Sequence, residues 1–117
     1  MDTNKFSLKS KKSSYEIAVN TLQLEAQAIL NLIPNVNEDF AKAVDIIAES
    51  KGRVIITGIG KSAIIAQKIV ATFNSTGTPA IFMHAGDAVH GDLGMIQQND
   101  IVICISKSGN TPEIKVL

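Results

Sequence analysis

Residues 53–62 read Arg-Val-Ile-Ile-Thr-Gly-Ile-Gly-Lys-Ser. The run from Arg53 to Thr57 is mostly apolar and β-branched, which predicts a buried strand, and the glycines after it predict a tight turn into a helix. A second segment has the same organisation, because the apolar run 101–105 is followed by the polar loop 106–113. Strand ends of this kind offer free backbone N–H groups and hydroxyls, which suit a phosphate. The sequence therefore predicts a small phosphorylated ligand.

Helices and strands alternate around these two segments. Two helices come first, from Ser13 or Ser14 to Ile33 and from a cap at Asn37 to Gly52. The inward side chains expected on the second helix are Phe40, Val44, Ile47 and Ala48. The expected elements that follow are a strand at 53–57, a helix at 62–75, a strand at 80–84, an irregular polar stretch at 85–99 and a strand at 100–105.

This order predicts an α/β fold. Strands that are apolar on both faces and joined through helices form a parallel sheet covered on both sides, here a three-layer αβα sandwich of flavodoxin-like or Rossmann-like type preceded by two helices. Ligands of such sheets bind at the carboxyl ends of the strands, where both polar loops fall. The sequence stops at Leu117, soon after the third strand. We therefore expect a truncated domain that further chain or another copy completes.

Composition narrows the class of protein. The 117 residues are 45% hydrophobic. The 11 basic residues balance 11 acidic ones, so the chain has no net charge that would indicate binding to a nucleic acid or to an anionic membrane. The lysines at the start of the chain are expected to be a solvated leader, residues 1–12. No run is long enough to span a bilayer or to act as a secretion signal, which predicts a cytoplasmic protein. The lone Cys104 is expected to be a small core residue.

The first loop has weak alternative interpretations. Gly58, Gly60 and Ala63 match the spacing of a dinucleotide-binding turn, but His84 stands where the second strand should end in an acid. The triplet 60–62 resembles the end of a P-loop, yet Ile55 occupies the position of its first glycine. A plain tight turn is the structural alternative. Lys61 at a helix start is unfavourable unless an anion compensates it.

The second loop is more specific. Its hydroxyls Ser106, Ser108 and Thr111 lie within six residues around Gly109, which favours phosphate binding. The alternative is an ordinary capped turn, in which Asn110 and Glu113 form a capping box. Glu113 is then either a helix-start acid or a base acting on a ligand carbon, and its chemistry alone leaves both open.

Two histidines flank a short polar segment after the second strand. His84, His90 and Asp92 are conceivable zinc ligands, but their spacing matches no established ligand pattern. Polar contacts to a sugar are the favoured interpretation, and no metal or other cofactor is expected.

Four ordered motifs together resemble the sugar isomerase (SIS) domain, and more narrowly the arabinose-5-phosphate isomerases of bacterial lipopolysaccharide and capsule synthesis. They are Gly58-Ile59-Gly60-Lys61-Ser62, Ser75-Thr76-Gly77-Thr78-Pro79, His90-Gly91-Asp92-Leu93-Gly94-Met95 and Ile105-Ser106-Lys107-Ser108-Gly109-Asn110-Thr111-Pro112-Glu113-Ile114. The resemblance implies an incomplete SIS domain over residues 13–117 and an aldose-ketose isomerase of D-arabinose 5-phosphate and D-ribulose 5-phosphate, on the route to Kdo. It also implies a tetramer whose active sites are shared between subunits.

The resemblance also implies roles for individual residues. Lys61 and Glu113 match the family's catalytic lysine and glutamate, and His90 is expected to assist in ring opening or carbonyl polarisation. The residues expected to contact the substrate are Gly60, Ser62, Gly77, Thr78, His84, Ser106, Ser108, Gly109, Asn110 and Thr111. Some relatives bind zinc as an inhibitor at the position of His84, which is not a cofactor role.

Two departures from the family matter for function. Full-length relatives carry a second half of the domain with a further histidine, and many add a pair of CBS domains, so the 117 residues alone are expected to have little or no activity. The alternatives are a non-catalytic sugar-phosphate sensor built on the same domain, and an isomerase acting on a seven-carbon phosphosugar.

Overall fold

A computed structural model describes residues 11–117 of the chain. Of the predicted leader, only Lys11 and Lys12 fall within the described residues. The chain divides into two compact units between Ala41 and Lys42, and each is described by itself.

The first unit contains helix α1, Ser14–Leu30, and a 3-10 turn, Ile33–Asn35. A capping box starts α1, because the Ser13 hydroxyl accepts from the Glu16 backbone N–H and the Glu16 carboxylate accepts from the Ser13 N–H. The helix is shorter than expected, since it ends at Leu30 and Pro34 lies within the 3-10 turn. None of its side chains is buried.

Helix α2, Glu38–Glu49, begins in the first unit and continues into the second. The Asn37 side chain caps it as predicted, accepting from the backbone N–H groups of Asp39 and Phe40. The prediction of the inward side chains of α2 is wrong in part. Phe40 and Val44 are exposed, and only Ile47 is partly buried against the sheet.

The second unit is a three-stranded parallel sheet in the order β2-β1-β3. The strands are β1 (Val54–Gly58), β2 (Ala80–His84) and β3 (Ile101–Cys104). Helix α3, Lys61–Ser75, connects β1 to β2. The stretch between β2 and β3 contains a short helix α4, Ala85–Ala88, and a 3-10 turn, Asp92–Met95. The chain ends in a short helix α5, Pro112–Lys115.

The two faces of the sheet form separate cores. Val54 and Ile56 of β1 pack with Ala66 of α3, together with Phe73 and the β3 residue Ile103. On the opposite face, Ile55 packs with Met83, Ala88, Met95 and Ile96. Helical elements therefore cover both faces of β1, as the predicted αβα sandwich requires.

The prediction that Cys104 is a core residue is wrong. Its backbone pairs with Thr57, but its side chain is exposed, and so is that of Val102 on the same face of β3. The partial burial that remains raises the pKa of the Cys104 thiol. In the described chain this face of β3 lacks the cover that α4 and the 3-10 turn give to β1.

An ion pair fixes the amino ends of β1 and β3. The Arg53 guanidinium donates to both carboxylate oxygens of Asp100, at 3.2 and 2.7 Å, and to the Met95 carbonyl at 2.8 Å. Asp100 also accepts from the backbone N–H groups of Arg53 and Gln97. The Asp100 side chain is only 2% exposed. The Arg53 hydrogen bonds, followed by those from the backbone, hold the pKa of the Asp100 carboxyl well below its usual range.

Replacing Asp100 should flatten the acid dependence of stability. Since its pKa is depressed in the folded state, its contribution is fully present above about pH 4, the ordinary aspartate value, and is lost as the pH falls toward the lower folded-state pKa. We expect Asp100→Asn to be destabilised at neutral pH, and its Tm to fall less steeply than that of the unmodified protein between about pH 5 and pH 2.

The measurement is thermal denaturation followed by circular dichroism across that pH range. Asp45→Asn, which removes an exposed acid from α2, is the matched control and should keep the slope of the unmodified protein. A slope unchanged in Asp100→Asn would show that this carboxylate does not govern acid unfolding.

Candidate functional site

The strand order places the two polar loops side by side. From the central β1, the chain crosses to β2 on one side and then returns past β1 to β3 on the other. Such a reversal leaves a crevice at the carboxyl ends of the two strands that flank it, here β1 and β3. Thr57 pairs with Cys104, and the Ile105 N–H donates to the Thr57 carbonyl at 2.9 Å, so both strands end level. The loops predicted to bind phosphate therefore start at neighbouring points of one sheet edge.

The first loop brings the start of α3 close to β1. Gly58 is buried, and a Cβ built on it would lie 2.9 Å from the Ser62 carbonyl carbon. Gly60 has φ +61° and ψ −132°, a backbone conformation open mainly to glycine. Among the described residues no side chain caps α3, so its first backbone N–H groups lack a side-chain partner.

Lys61 and Glu113 each belong to a helix that follows one of these two strands. Lys61 is the first residue of α3 and is exposed, while Glu113 lies in the first turn of α5 and is half-buried. Within residues 11–117 the only ion pair joins Arg53 to Asp100, so the charges of both Lys61 and Glu113 are available to a ligand. The predicted amine and carboxylate thus belong to segments that leave the sheet at its carboxyl edge.

The second loop is held by its own hydroxyls. The Ser106 and Thr111 hydroxyls are 2.8 Å apart and share a hydrogen bond, and Ser106 also accepts from the Gly109 N–H at 3.0 Å. The Ser108 hydroxyl accepts from the Asn110 N–H at 3.1 Å. Gly109 has φ +70°, which explains why glycine occupies the tip of this loop. The result is a loop after β3 whose hydroxyls and N–H groups bond to one another.

The capping box between Asn110 and Glu113, which was the alternative to a phosphate-binding loop, is not formed. The residue that precedes α5 is Thr111, and no side chain of the described residues caps this helix. Thr111 directs its hydroxyl back to Ser106 instead. The hydroxyls therefore do not cap α5, and they bond within the loop itself.

The two histidines lie on the β2 side of the same edge. His84 ends β2 beside Gly58 of β1, and its Nδ1 accepts from the Gly86 N–H at 3.0 Å. His90 is exposed in the turn after α4, where its backbone N–H donates to the Asp87 backbone carbonyl. No group of three metal-ligating side chains comes together within residues 11–117. The imagined zinc set of His84, His90 and Asp92 is thus not assembled there.

Gly77 and Thr78 lie at the opposite edge. They belong to the connection from α3 to the amino end of β2, where the Thr78 N–H donates to the Phe73 carbonyl at 2.9 Å. The Asn74 side chain closes this turn through two hydrogen bonds to the Ala80 backbone. Within one copy of the chain, the sheet therefore separates these two residues from Lys61 and Glu113.

A cavity at the amino edge is a weaker candidate for a ligand site. It measures about 420 Å³ and is lined by residues that include Lys51, Arg53 and Asp100. Arg53 and Asp100 already satisfy each other there, which leaves little free charge for a ligand. The carboxyl edge, where Lys61 and Glu113 form no ion pair with any described residue, remains the better candidate.

Thr57 is a feature that the sequence did not reveal. Its side chain is fully buried, and its hydroxyl has no hydrogen-bond partner among the described residues. A buried hydroxyl without a partner is costly, by roughly 1–3 kcal/mol. Threonine is common in strands, so no signal in the sequence distinguished this position from an ordinary strand residue.

Comparisons with known proteins identify the class that this fold and site define. The SIS domain model matches residues 46–117. The arabinose 5-phosphate isomerase of Francisella tularensis is 53% identical over 100 residues, which are 83% of this chain and 31% of that protein. The probable arabinose 5-phosphate isomerase of Haemophilus influenzae is 47% identical over 102 residues, 87% of this chain and 30% of that protein. The chain belongs to the SIS domain family.

Solved structures agree with this assignment. A protein of Escherichia coli CFT073, solved in complex with arabinose 5-phosphate, superposes with a TM-score of 0.81 at 41% identity, over 91% of this chain and 57% of that one. A putative phosphosugar isomerase involved in capsule formation from Bacteroides fragilis superposes with a TM-score of 0.84 at 44% identity, over 89% of this chain and 55% of that one. The chain thus spans about half the length of these solved chains and about three tenths of the curated relatives.

Adding a methyl group at Gly58 should disturb the first loop. The new Cβ in Gly58→Ala would press on the Ser62 backbone at 2.9 Å, so α3 must shift or the strand must distort. We expect a loss of about 1–3 kcal/mol in the free energy of unfolding, measured by urea denaturation. Gly94→Ala is the control, because its Cβ would meet nothing within 4 Å and should change stability by less than about 0.5 kcal/mol. Equal losses in both variants would contradict the close packing of α3 on Gly58.

Proposed function

We propose that this chain forms part of an aldose-ketose isomerase that interconverts D-arabinose 5-phosphate and D-ribulose 5-phosphate. The observation that carries the proposal is that the turn with Lys61 and the hydroxyl loop that leads to Glu113 follow neighbouring, level ends of β1 and β3. The names of the relatives support the same chemistry. We extend the proposal to the pathway of Kdo and of lipopolysaccharide or capsule sugars, and to the cytoplasm as its location. None of the helices within residues 11–117 combines the length and the apolar character of a membrane span.

The hydroxyl loop would bind the phosphate. Ser106, Ser108 and Thr111 place three hydroxyls on one short segment, and Gly109 keeps its tip free of a side chain. The uncapped start of α3 lies at the same edge, with Gly60 and Ser62 beside it, and adds N–H groups and a positive dipole. Gripping the phosphate fixes the sugar carbons relative to the protein, which lowers the entropic part of the barrier.

Lys61 and Glu113 would perform the chemistry. Isomerisation moves a proton between C1 and C2 through a cis-enediolate, which requires a base near both carbons and a positive group near the developing oxyanion. Glu113 is the proposed base, and Lys61 the proposed oxyanion partner. His90 would assist in opening the sugar ring or in polarising the carbonyl. The reaction is a proton transfer, so the proposal invokes no redox cofactor.

We also propose that the active protein is a homotetramer with shared sites. Gly77 and Thr78 match family positions that contact the sugar, yet they lie at the amino edge of the sheet, away from Lys61. A second copy would bring its own Gly77 and Thr78 to the carboxyl edge of the first. The exposed apolar side chains of α1, including Leu22, Leu24 and Ile29, offer surface for such an assembly.

Replacing the two charged residues tests the catalytic assignment. In the full-length protein we expect Glu113→Gln to lower kcat by about 10²–10⁴-fold, because the amide cannot accept the proton. Lys61→Ala should lower it by about 10²–10³-fold through loss of oxyanion stabilisation. The measurement is a coupled assay of both sugar phosphates, with direct binding of arabinose 5-phosphate by calorimetry, and binding should persist in Glu113→Gln.

Matched controls change the same charges elsewhere. Lys68→Ala alters an exposed lysine further along α3, and Glu38→Gln alters an exposed acid in the first turn of α2, and both should retain full turnover. Normal turnover in either active-site variant would refute the assigned roles. Binding without turnover in the unmodified protein would favour a sugar-phosphate sensor instead, and turnover only of a seven-carbon phosphosugar would favour the neighbouring isomerase class.

Mixed assemblies test whether sites are shared. Full-length Lys61→Ala and Thr78→Val should each be weakly active alone, whereas co-expressed subunits carrying different tags should regain activity, with about a quarter of the sites intact in a random mixture. The recovery arises because a site that takes Lys61 from one copy and Thr78 from another can be fully unmodified. Activity of the mixture that only equals the sum of the parents would contradict the shared site.

A further inference from the structure

Helix α1 carries exposed apolar side chains on two sides. Leu22 and Ile29 lie along one side, and Ile17 and Leu24 lie along another, roughly 140° further around the helix. No residue of α1 is buried. Because a helix with a single packing partner needs only one apolar side, the pattern of α1 indicates packing partners on both sides.

A groove runs along the side of α1 that carries Ile17 and Leu24. It measures about 240 Å³ and is lined by Lys12, Ile17, Asn20, Thr21 and Leu24. Thr21 is the smaller residue between the two larger apolar ones, and its hydroxyl donates to the Ile17 backbone carbonyl at 2.8 Å. The floor of the groove therefore needs no polar partner and suits an apolar side chain.

The same side of a second copy fits this groove when the two helices run in opposite directions. With a two-fold axis between residues 22 and 23, Leu24 of each copy lies opposite Thr21 of the other, and Ile17 lies opposite Ala28. Each larger side chain then meets a smaller one, as knobs-into-holes packing requires. In a parallel pair each residue would instead face its own copy, large against large and small against small.

Charge favours the same direction. Lys12 is exposed just before α1, and the last turn of α1 contains no basic residue. The C-terminal end of a helix has a partial negative charge that a nearby cation stabilises. The antiparallel pair brings Lys12 of each copy to the C-terminal end of the other α1, whereas a parallel pair would bring the two lysines together.

We infer that α1 pairs with α1 of a second copy in an antiparallel contact through Ile17, Thr21, Leu24 and Ala28. The inference rests on the assembly of copies under the proposed function and names a surface for it, but the fit comes from α1 alone and does not involve catalysis. The side with Leu22 and Ile29 remains available to the other packing partner of the helix.

Cysteine cross-linking tests the direction of the pair. Ile17→Cys and Ala28→Cys are introduced separately into full-length protein whose native cysteines, including Cys104, are replaced by serine. Co-expressed subunits with different tags should form a mixed disulfide on mild oxidation, because the two positions face each other. Either variant alone should form none through α1, since identical positions are about 16 Å apart along the pair. Disulfides in the single variants but not in the mixture, or in neither, would overturn the inference.

A charge in the groove tests the contact independently. Leu24→Lys should lower the mass of the full-length assembly at least twofold in sedimentation experiments, because the new ammonium would be buried against the second copy. Gln23→Lys, on the polar side of α1, is the matched control and should keep the mass. An unchanged mass in Leu24→Lys would overturn the contact. Absence of isomerase activity with the mixed disulfide intact would refute the proposed function and leave the contact standing.

Discussion

β1 pairs in parallel with β2 on one side and with β3 on the other, and each of its five residues is buried. Burying side chains such as Val54, Ile55 and Ile56 contributes about 1.5–3 kcal/mol each, so this strand anchors both layers of the core. Its register also decides where the loops lie. Since β1 and β3 end level, the turn into α3 and the hydroxyl loop are forced to meet at one edge. The bidentate pair of Arg53 and Asp100 fixes the same two strands at their amino ends.

Much of this architecture could be predicted from the sequence, because the informative residues are local. Apolar runs predicted the strands to within a residue, and Asn37 identified the start of α2 through its capping chemistry. The hydroxyls of Ser106, Ser108 and Thr111 lie in one short loop, so their proximity did not depend on the rest of the fold. Motifs of this kind lie within a few consecutive residues, so they can be predicted from the sequence without a structure.

The predictions were wrong at positions where contacts between distant parts of the chain determine whether a side chain is buried. Cys104 belongs to an apolar run, but its face of β3 is not covered in the described chain, and its side chain is exposed. Phe40 and Val44 follow helical spacing, yet that spacing does not show whether a neighbouring element reaches them. The buried hydroxyl of Thr57 and the hydrogen bond from the Gly86 N–H to His84 depend on contacts that no spacing rule encodes.

The separation of the predicted site residues between two sheet edges has a physical meaning for assembly. A parallel sheet directs its strand ends to opposite sides, so no rearrangement of loops within one copy would bring Thr78 to Lys61 without breaking the ladder of β2. Either the Gly77 and Thr78 turn has no part in the site or it acts in a second copy. The homotetramer proposed above corresponds to the second alternative.

The central claim is that the edge shared by β1 and β3 binds a phosphorylated sugar between an amine and a carboxylate. A crystal structure of the full-length protein with arabinose 5-phosphate tests it most directly. The account predicts phosphate oxygens within hydrogen-bond distance of Ser106, Ser108 or Thr111, with C1 and C2 between the Lys61 amine and the Glu113 carboxylate. A ligand bound at the amino edge, or one whose reacting carbons lie away from both side chains, would contradict it.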